Sequence, residues 1–177
     1  CLRIAGRLLG KPELIEEARA RTDEGAGVCV GRPVDRVTVS IIRIDDGPIA
    51  FWDDSLCLPR GEVGEIVVKG PAVTRSYYGR DEATRLAKIS DSEGDGFSHR
   101  MGDLGYLDEQ GRLWFCGRKA HRVVTAQRTY YTVQCEAIFN THPRVRRTAL
   151  VGVGCDGEIR PVLCVELERN ASADDTL

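Results

Sequence analysis

The stretch HRMGDLGYLDEQGRLWFCGRKAHR, residues 99–122, joins Gly102-Asp103, a hairpin and Gly117-Arg118 in one compact run. Leu104–Leu107 and Arg112–Cys116 read as two short strands. Asp108-Glu109-Gln110-Gly111 between them reads as a hairpin turn, with glycine where a positive φ is wanted. Folding such a hairpin brings its two ends together. An acid and a guanidinium, each beside a glycine, are therefore expected to come close.

Two readings of Asp103 stand side by side. It is either a turn aspartate holding backbone N–H groups ahead of a strand, or an ionised acceptor for two adjacent hydroxyls such as a ribose diol offers. A charged acceptor makes those bonds stronger than a neutral one does. Arg118 follows Gly117, whose missing side chain lets a ligand approach the backbone. Its planar fork suits a sugar hydroxyl or a phosphate oxygen. The alternative is a solvated arginine at a strand end.

Outward from the hairpin, Pro12–Arg21 reads as a helix, with proline in its first turn, acids early and arginines late. Gly25–Pro33 reads as a glycine-punctuated loop. Val37–Ile44 and Glu65–Lys69 read as strands, the first ended by Asp45-Asp46-Gly47-Pro48 and the second by Gly70-Pro71. Residues 52–62 and 90–96 read as surface loops. Asp81–Lys88 reads as a short helix capped by Asp81. Beyond residue 120 the pattern changes to a helix over Val133–Asn140 and strands over Arg147–Val153 and Pro161–Glu168, joined at Cys155-Asp156-Gly157. A domain boundary is expected near Lys119-Ala120, and the fold class is α+β.

Composition narrows the function. Of the 177 residues 42% are hydrophobic and 29% charged, with a formal net charge of -2. There is no basic excess to neutralise a nucleic-acid backbone, and no apolar run long enough for a membrane helix. The seven cysteines are scattered, odd in number and without a C-x-x-C pair. They read as reduced, buried thiols of a cytoplasmic protein. Cys116 and His121 are too few for a zinc site. His99, His121 and His142 share no catalytic spacing. Met101 is the only methionine and the first residue is Cys1, so the chain is expected to be part of a longer protein.

Gly152-Val153-Gly154-Cys155-Asp156-Gly157 matches G-x-G-x-x-G. A dinucleotide site needs a helix to follow, and Glu158–Leu163 reads instead as a strand with proline near its start, so the motif is rejected. No Walker motif and no G-x-S-x-G elbow is present.

Several motifs come in a telling order: Gly64-Glu65-Ile66-Val67-Val68, Tyr77-Tyr78-Gly79-Arg80 with Glu82-Ala83-Thr84, Gly102-Asp103-Leu104-Gly105-Tyr106, and Gly111–Arg118. The series resembles the adenylate-forming superfamily of acyl-CoA synthetases, adenylation domains and luciferases, over about Gly25–Glu168. Within it, Thr22–Pro33, Val73–Tyr78, His99–Asp103 and Cys116–Val123 are most similar to the β-lactone synthetases of bacterial long-chain olefin biosynthesis.

The resemblance implies a β-barrel-like subdomain, residues 1–118, closing a large N-terminal domain. A hinge at Lys119-Ala120 and a partial α+β lid, residues 121–177, would follow. It implies that Asp103 and Arg118 bind the ribose of ATP, with Mg2+ held elsewhere. The implied substrate is a long-chain 2-alkyl-3-hydroxy acid, or a fatty acid in an acyl-CoA ligase; other olefin-pathway enzymes are possible partners. Met101 replaces a usual threonine, Ala120 stands at the hinge, and a familiar lysine is missing near Val124. The phosphate loop and catalytic lysine have no counterpart here, so these residues alone are expected to be a nucleotide-binding or interaction fragment without adenylation activity.

Overall fold

The computed structural model describes residues 5–7, 12–155 and 158–169. In chain order the elements are β1 (Ala5–Arg7), α1 (Pro12–Asp23), β2 (Val28–Pro33), β3 (Thr38–Ile42), β4 (Gly64–Lys69), α2 (Asp81–Ala87), β5 (Lys88–Ser90), β6 (Phe97–Leu107), β7 (Leu113–Arg118), β8 (Val123–Val124), β9 (Thr129–Tyr130), α3 (Thr132–Asn140), β10 (Val145–Val153) and β11 (Arg160–Leu167). The fold is α+β, with a curled half-barrel sheet. It forms two compact units, one built on Val30–Phe115 and the other on residues 12–29 and the chain from Cys116 onward.

In the first unit the sheet runs β1-β2-β7-β6-β4-β3, with β5 also paired to β6. Strand β4 lies inside it, between β3 and β6, and all its residues but Lys69 are buried. Its alternation serves two cores. Ile66 and Val68 pack with Val39, Ile41 and Leu113 on one face. Val67 packs with Ile42 and Ile89 on the other. Gly64 faces Gly105 in the register. A side chain on Gly64 would meet the Ile42 carbonyl oxygen at 2.2 Å, and one on Gly105 would meet that of Trp114 at 2.3 Å.

Two local expectations are corrected. Gly25–Pro33 is not one loop, because β2 begins at Val28. Its glycines disguise the strand: Gly25 and Gly27 turn the chain after α1, while Gly31 keeps a positive φ inside β2. Asp81 is the first residue of α2, not its cap; Arg80 precedes it and supplies no side-chain capping bond.

In the second unit α3 packs on β10, where Glu136 accepts a hydrogen bond from the Leu150 backbone N–H at 2.9 Å. Helix α1 packs on α3, and Ile138 fills the space a side chain on Gly25 would need. Strands β10 and β11 are antiparallel, with Val151 opposite Val162. After Gly154 the next regular element is the strand β11, so the rejection of a dinucleotide fingerprint holds. Part of the Cys155-Asp156-Gly157 turn and of the polar tail lies outside the described residues. Among the described residues no helix is long and apolar enough to cross a membrane.

Candidate functional site

The hairpin forms as its sequence reads, but its first strand is longer. Asp103 lies inside the eleven-residue β6 rather than ahead of a strand. Against β4 the register pairs Val67 with Arg100 and Glu65 with Leu104. Two steps on β4 thus match four on β6. Met101, Gly102 and Asp103 together oppose Ile66, a bulge of two extra residues. Gly102 sits at its centre with φ 65°. Bulges of this kind re-aim side chains and collect beside functional sites.

The bulge does not invert the strand. Side chains alternate with period two, so an even number of extra residues keeps those after the bulge on the faces they would otherwise have. Two extra residues keep the alternation, and Leu104 stays buried at 1% exposure. Asp103 itself is 3% exposed.

Arg100, just before the bulge, is buried and ion-paired with Glu65. Its Nη2 donates to Glu65 Oε2 at 2.6 Å and its Nε to the same oxygen at 3.1 Å. Nη1 donates to the Gly47 carbonyl at 2.6 Å and the Leu86 carbonyl at 3.2 Å. Nη2 also donates to the Asp45 carbonyl. A guanidinium has five N–H donors, and every one is spent here. The one local signal of this pair was a glutamate in an otherwise apolar strand; its partner lies 35 positions away.

At the hairpin's far end Asp108 organises the turn. Its Oδ1 accepts from the backbone N–H of Gln110 and of Arg112, at 3.0 and 2.8 Å. Its Oδ2 accepts from Arg112 Nε at 2.6 Å and Trp114 Nε1 at 2.9 Å. Burial pushes this carboxyl up, but the bonds from Trp114 and Arg112, with the Arg112 charge, outweigh it and hold the group below the usual range. Gly111 supplies the expected positive φ, 73°.

Arg118 closes β7, belongs to the second unit and is exposed. Gly117 before it has φ 129°, and a side chain there would meet Thr132 Oγ1 at 2.6 Å. The close approach at Gly117 is thus made by the start of α3. Lys119 and Ala120 lie in a single 3₁₀ turn, Lys119–His121. Arg122 ties it off, its Nη1 donating to the Lys119 carbonyl at 2.8 Å. Of the cysteines expected to be buried, Cys116 is, and burial pushes its thiol up to about 12, which makes it inert, whereas Cys57, Cys155 and Cys164 are exposed. A cavity of about 610 Å3 beside Phe51, Lys88 and Phe97 includes none of these groups. Among the described residues no three His, Cys, Asp or Glu side chains gather as a metal site, so no residue is assigned to Mg2+.

Comparison with known proteins supplies the context. No family model matches the chain. The olefin β-lactone synthetase of Xanthomonas campestris pv. campestris is 55% identical over 162 residues, 90% of this chain and 29% of that protein. MatB from Rhodopseudomonas palustris, solved with ATP bound, superposes with a TM-score of 0.67 at 29% identity, over 84% of this chain and 27% of MatB. The o-succinylbenzoate CoA synthetase of Bacillus subtilis, solved with an acyl-adenylate intermediate, gives 0.63 at 27% identity, over 82% and 27%. The chain is homologous to adenylate-forming enzymes. It spans under a third of the length of the relatives it matches.

Proposed function

We propose that this chain is the nucleotide-gripping segment of an ATP-dependent, AMP-forming enzyme that activates a long-chain 2-alkyl-3-hydroxy acid and closes it to a β-lactone. The observation that carries this reading is the 55% identity to an olefin β-lactone synthetase over 90% of the chain. In the proposed reaction a carboxylate oxygen attacks the α-phosphorus of ATP and pyrophosphate leaves. The β-hydroxyl of the same molecule then attacks the activated carbonyl, releasing AMP and a proton. Because both partners are held in one molecule, ring closure gains from proximity and needs no CoA.

In this reading Asp103 accepts hydrogen bonds from the ribose hydroxyls, and the bulge at Gly102 is what aims it. Arg118 adds a second ribose contact. Lys119 and Ala120 are the hinge about which the residues beyond turn as a lid. A single acidic side chain aimed by a strand bulge fits a sugar diol and offers nothing to a phosphate. In the same reading the Mg2+ and the acyl chain are held by residues outside this segment.

The test is ATP binding by calorimetry to the complete enzyme. Asp103→Ala should weaken binding by roughly 1.5–3 kcal/mol, the worth of a hydrogen bond to a charged group. Unchanged affinity would refute the assignment. A second reading, a fatty acyl-CoA ligase, is favoured by the likeness to o-succinylbenzoate CoA synthetase. Product analysis separates the two: a CoA-dependent thioester in place of a lactone selects the ligase.

A further inference from the structure

We propose that the buried Glu65–Arg100 pair is a positioning device that holds the bulge open and so aims Asp103. This rests on the reading of Asp103 as the ribose acceptor and adds the residues that control it. The argument starts from the register. Glu65 is paired across the strands with Leu104, the first residue after the bulge; Arg100 is the last residue before it. The ion pair therefore spans the bulge from one flank to the other. Glu65 and Val67 share a face of β4, and Arg100 lies opposite Val67, so the pair is a diagonal neighbour on that face.

An unclamped bulge has a competing arrangement. Sliding β6 by two residues would keep every side chain on its proper face, because the alternation has period two. It would put Gly102 opposite Val67, and Arg100 would leave Glu65's neighbourhood. That slide is resisted by Arg100, whose donors also hold Asp45, Gly47 and Leu86. These carbonyls come from the turn after β3 and the end of α2. The fork thus pins β6 to β4, a loop and a helix at one point, two residues before Gly102. Both charges are almost wholly buried, at 2% and 1% exposure, where a slipped pair would leave them uncompensated.

The experiment compares ATP with 2′,3′-dideoxy-ATP in the complete enzyme, by equilibrium binding. The wild type should prefer ATP, and Asp103→Ala should lose that preference. Glu65→Gln, which keeps the shape and removes the charge, should lower the preference on the order of 10–100-fold, the cost of an ångström-scale misplacement. In the Asp103→Ala background the same Glu65→Gln change should leave ATP affinity unaltered, because the residue it aims is gone. A merely structural role would lower affinity equally in both backgrounds. Should Glu65→Gln fail to fold, Arg100→Lys carries the same comparison, since it keeps the charge and gives up the fork. Lack of any ATP preference in the wild type would defeat the ribose reading itself. A wild-type preference that survives in both variants would defeat the clamp alone.

Discussion

The hairpin turn hangs on one carboxylate. Asp108 satisfies two backbone N–H groups, the Arg112 guanidinium and the Trp114 indole. Asp108→Ala would leave the buried Arg112 charge without this partner and should cost about 3–5 kcal/mol in denaturant unfolding, the usual penalty for breaking a buried pair. The same bonds make stability depend on pH. Asp108 has a folded value below 3.8, so its contribution is complete above roughly pH 4 and is lost as pH falls through the folded value. His99 acts earlier in an acid titration. Burial, then the nearby Lys88 charge, holds it below 6.5 despite its bond to the Ala87 carbonyl. Folding therefore favours the neutral ring, and its share of stability falls as pH drops below 6.5 through the folded value. Melting temperatures at pH 7.5 and 5.5 should differ more in the wild type than in His99→Gln; equal differences would contradict this. The Asp108 turn was legible in the sequence because its acid, its glycine and its flanking alternation lie within seven residues.

At the scale of elements, the paired glycines set how closely strands can pass. Gly105→Ala would drive a methyl against the Trp114 carbonyl oxygen of the adjacent strand, 2.3 Å away and unable to swing aside. Overpacking of this kind costs typically about 1–3 kcal/mol, which a shift in the urea midpoint at constant slope would register. Gly111→Ala meets only the tip of the Arg60 side chain, though its positive φ is strained, so it should cost less than Gly105→Ala. The strands themselves were readable from β-branched runs and their stops. The double bulge was not, because it exists only through pairing between β4 and β6, with Glu65 and Arg100 35 positions apart. A single strand read alone shows Gly102 and nothing of the two residues its partner lacks. Strand β2 was missed for a simpler reason: glycine density imitates a loop.

For the whole molecule, the motif order was enough to point to the adenylate-forming enzymes, since it depends on short spellings in sequence. The aim of Asp103 was not, since it depends on how β4 and β6 are matched. A segment under a third of its relatives' length can carry a grip without carrying the reaction. The purified 177-residue chain should therefore release no pyrophosphate from ATP when given a long-chain hydroxy acid. Steady release above a no-acid control would show that the segment performs the chemistry itself.

The evenness of the bulge bears on how such a gene could decay. Losing one codon between Arg100 and Leu104 would leave the ordinary single-residue bulge in place of the double one. Losing two would straighten the strand and leave its lining in place. If Asp103 grips the ribose as proposed, a descendant could thus shed that hold yet still fold, surviving as a scaffold free to take up other work.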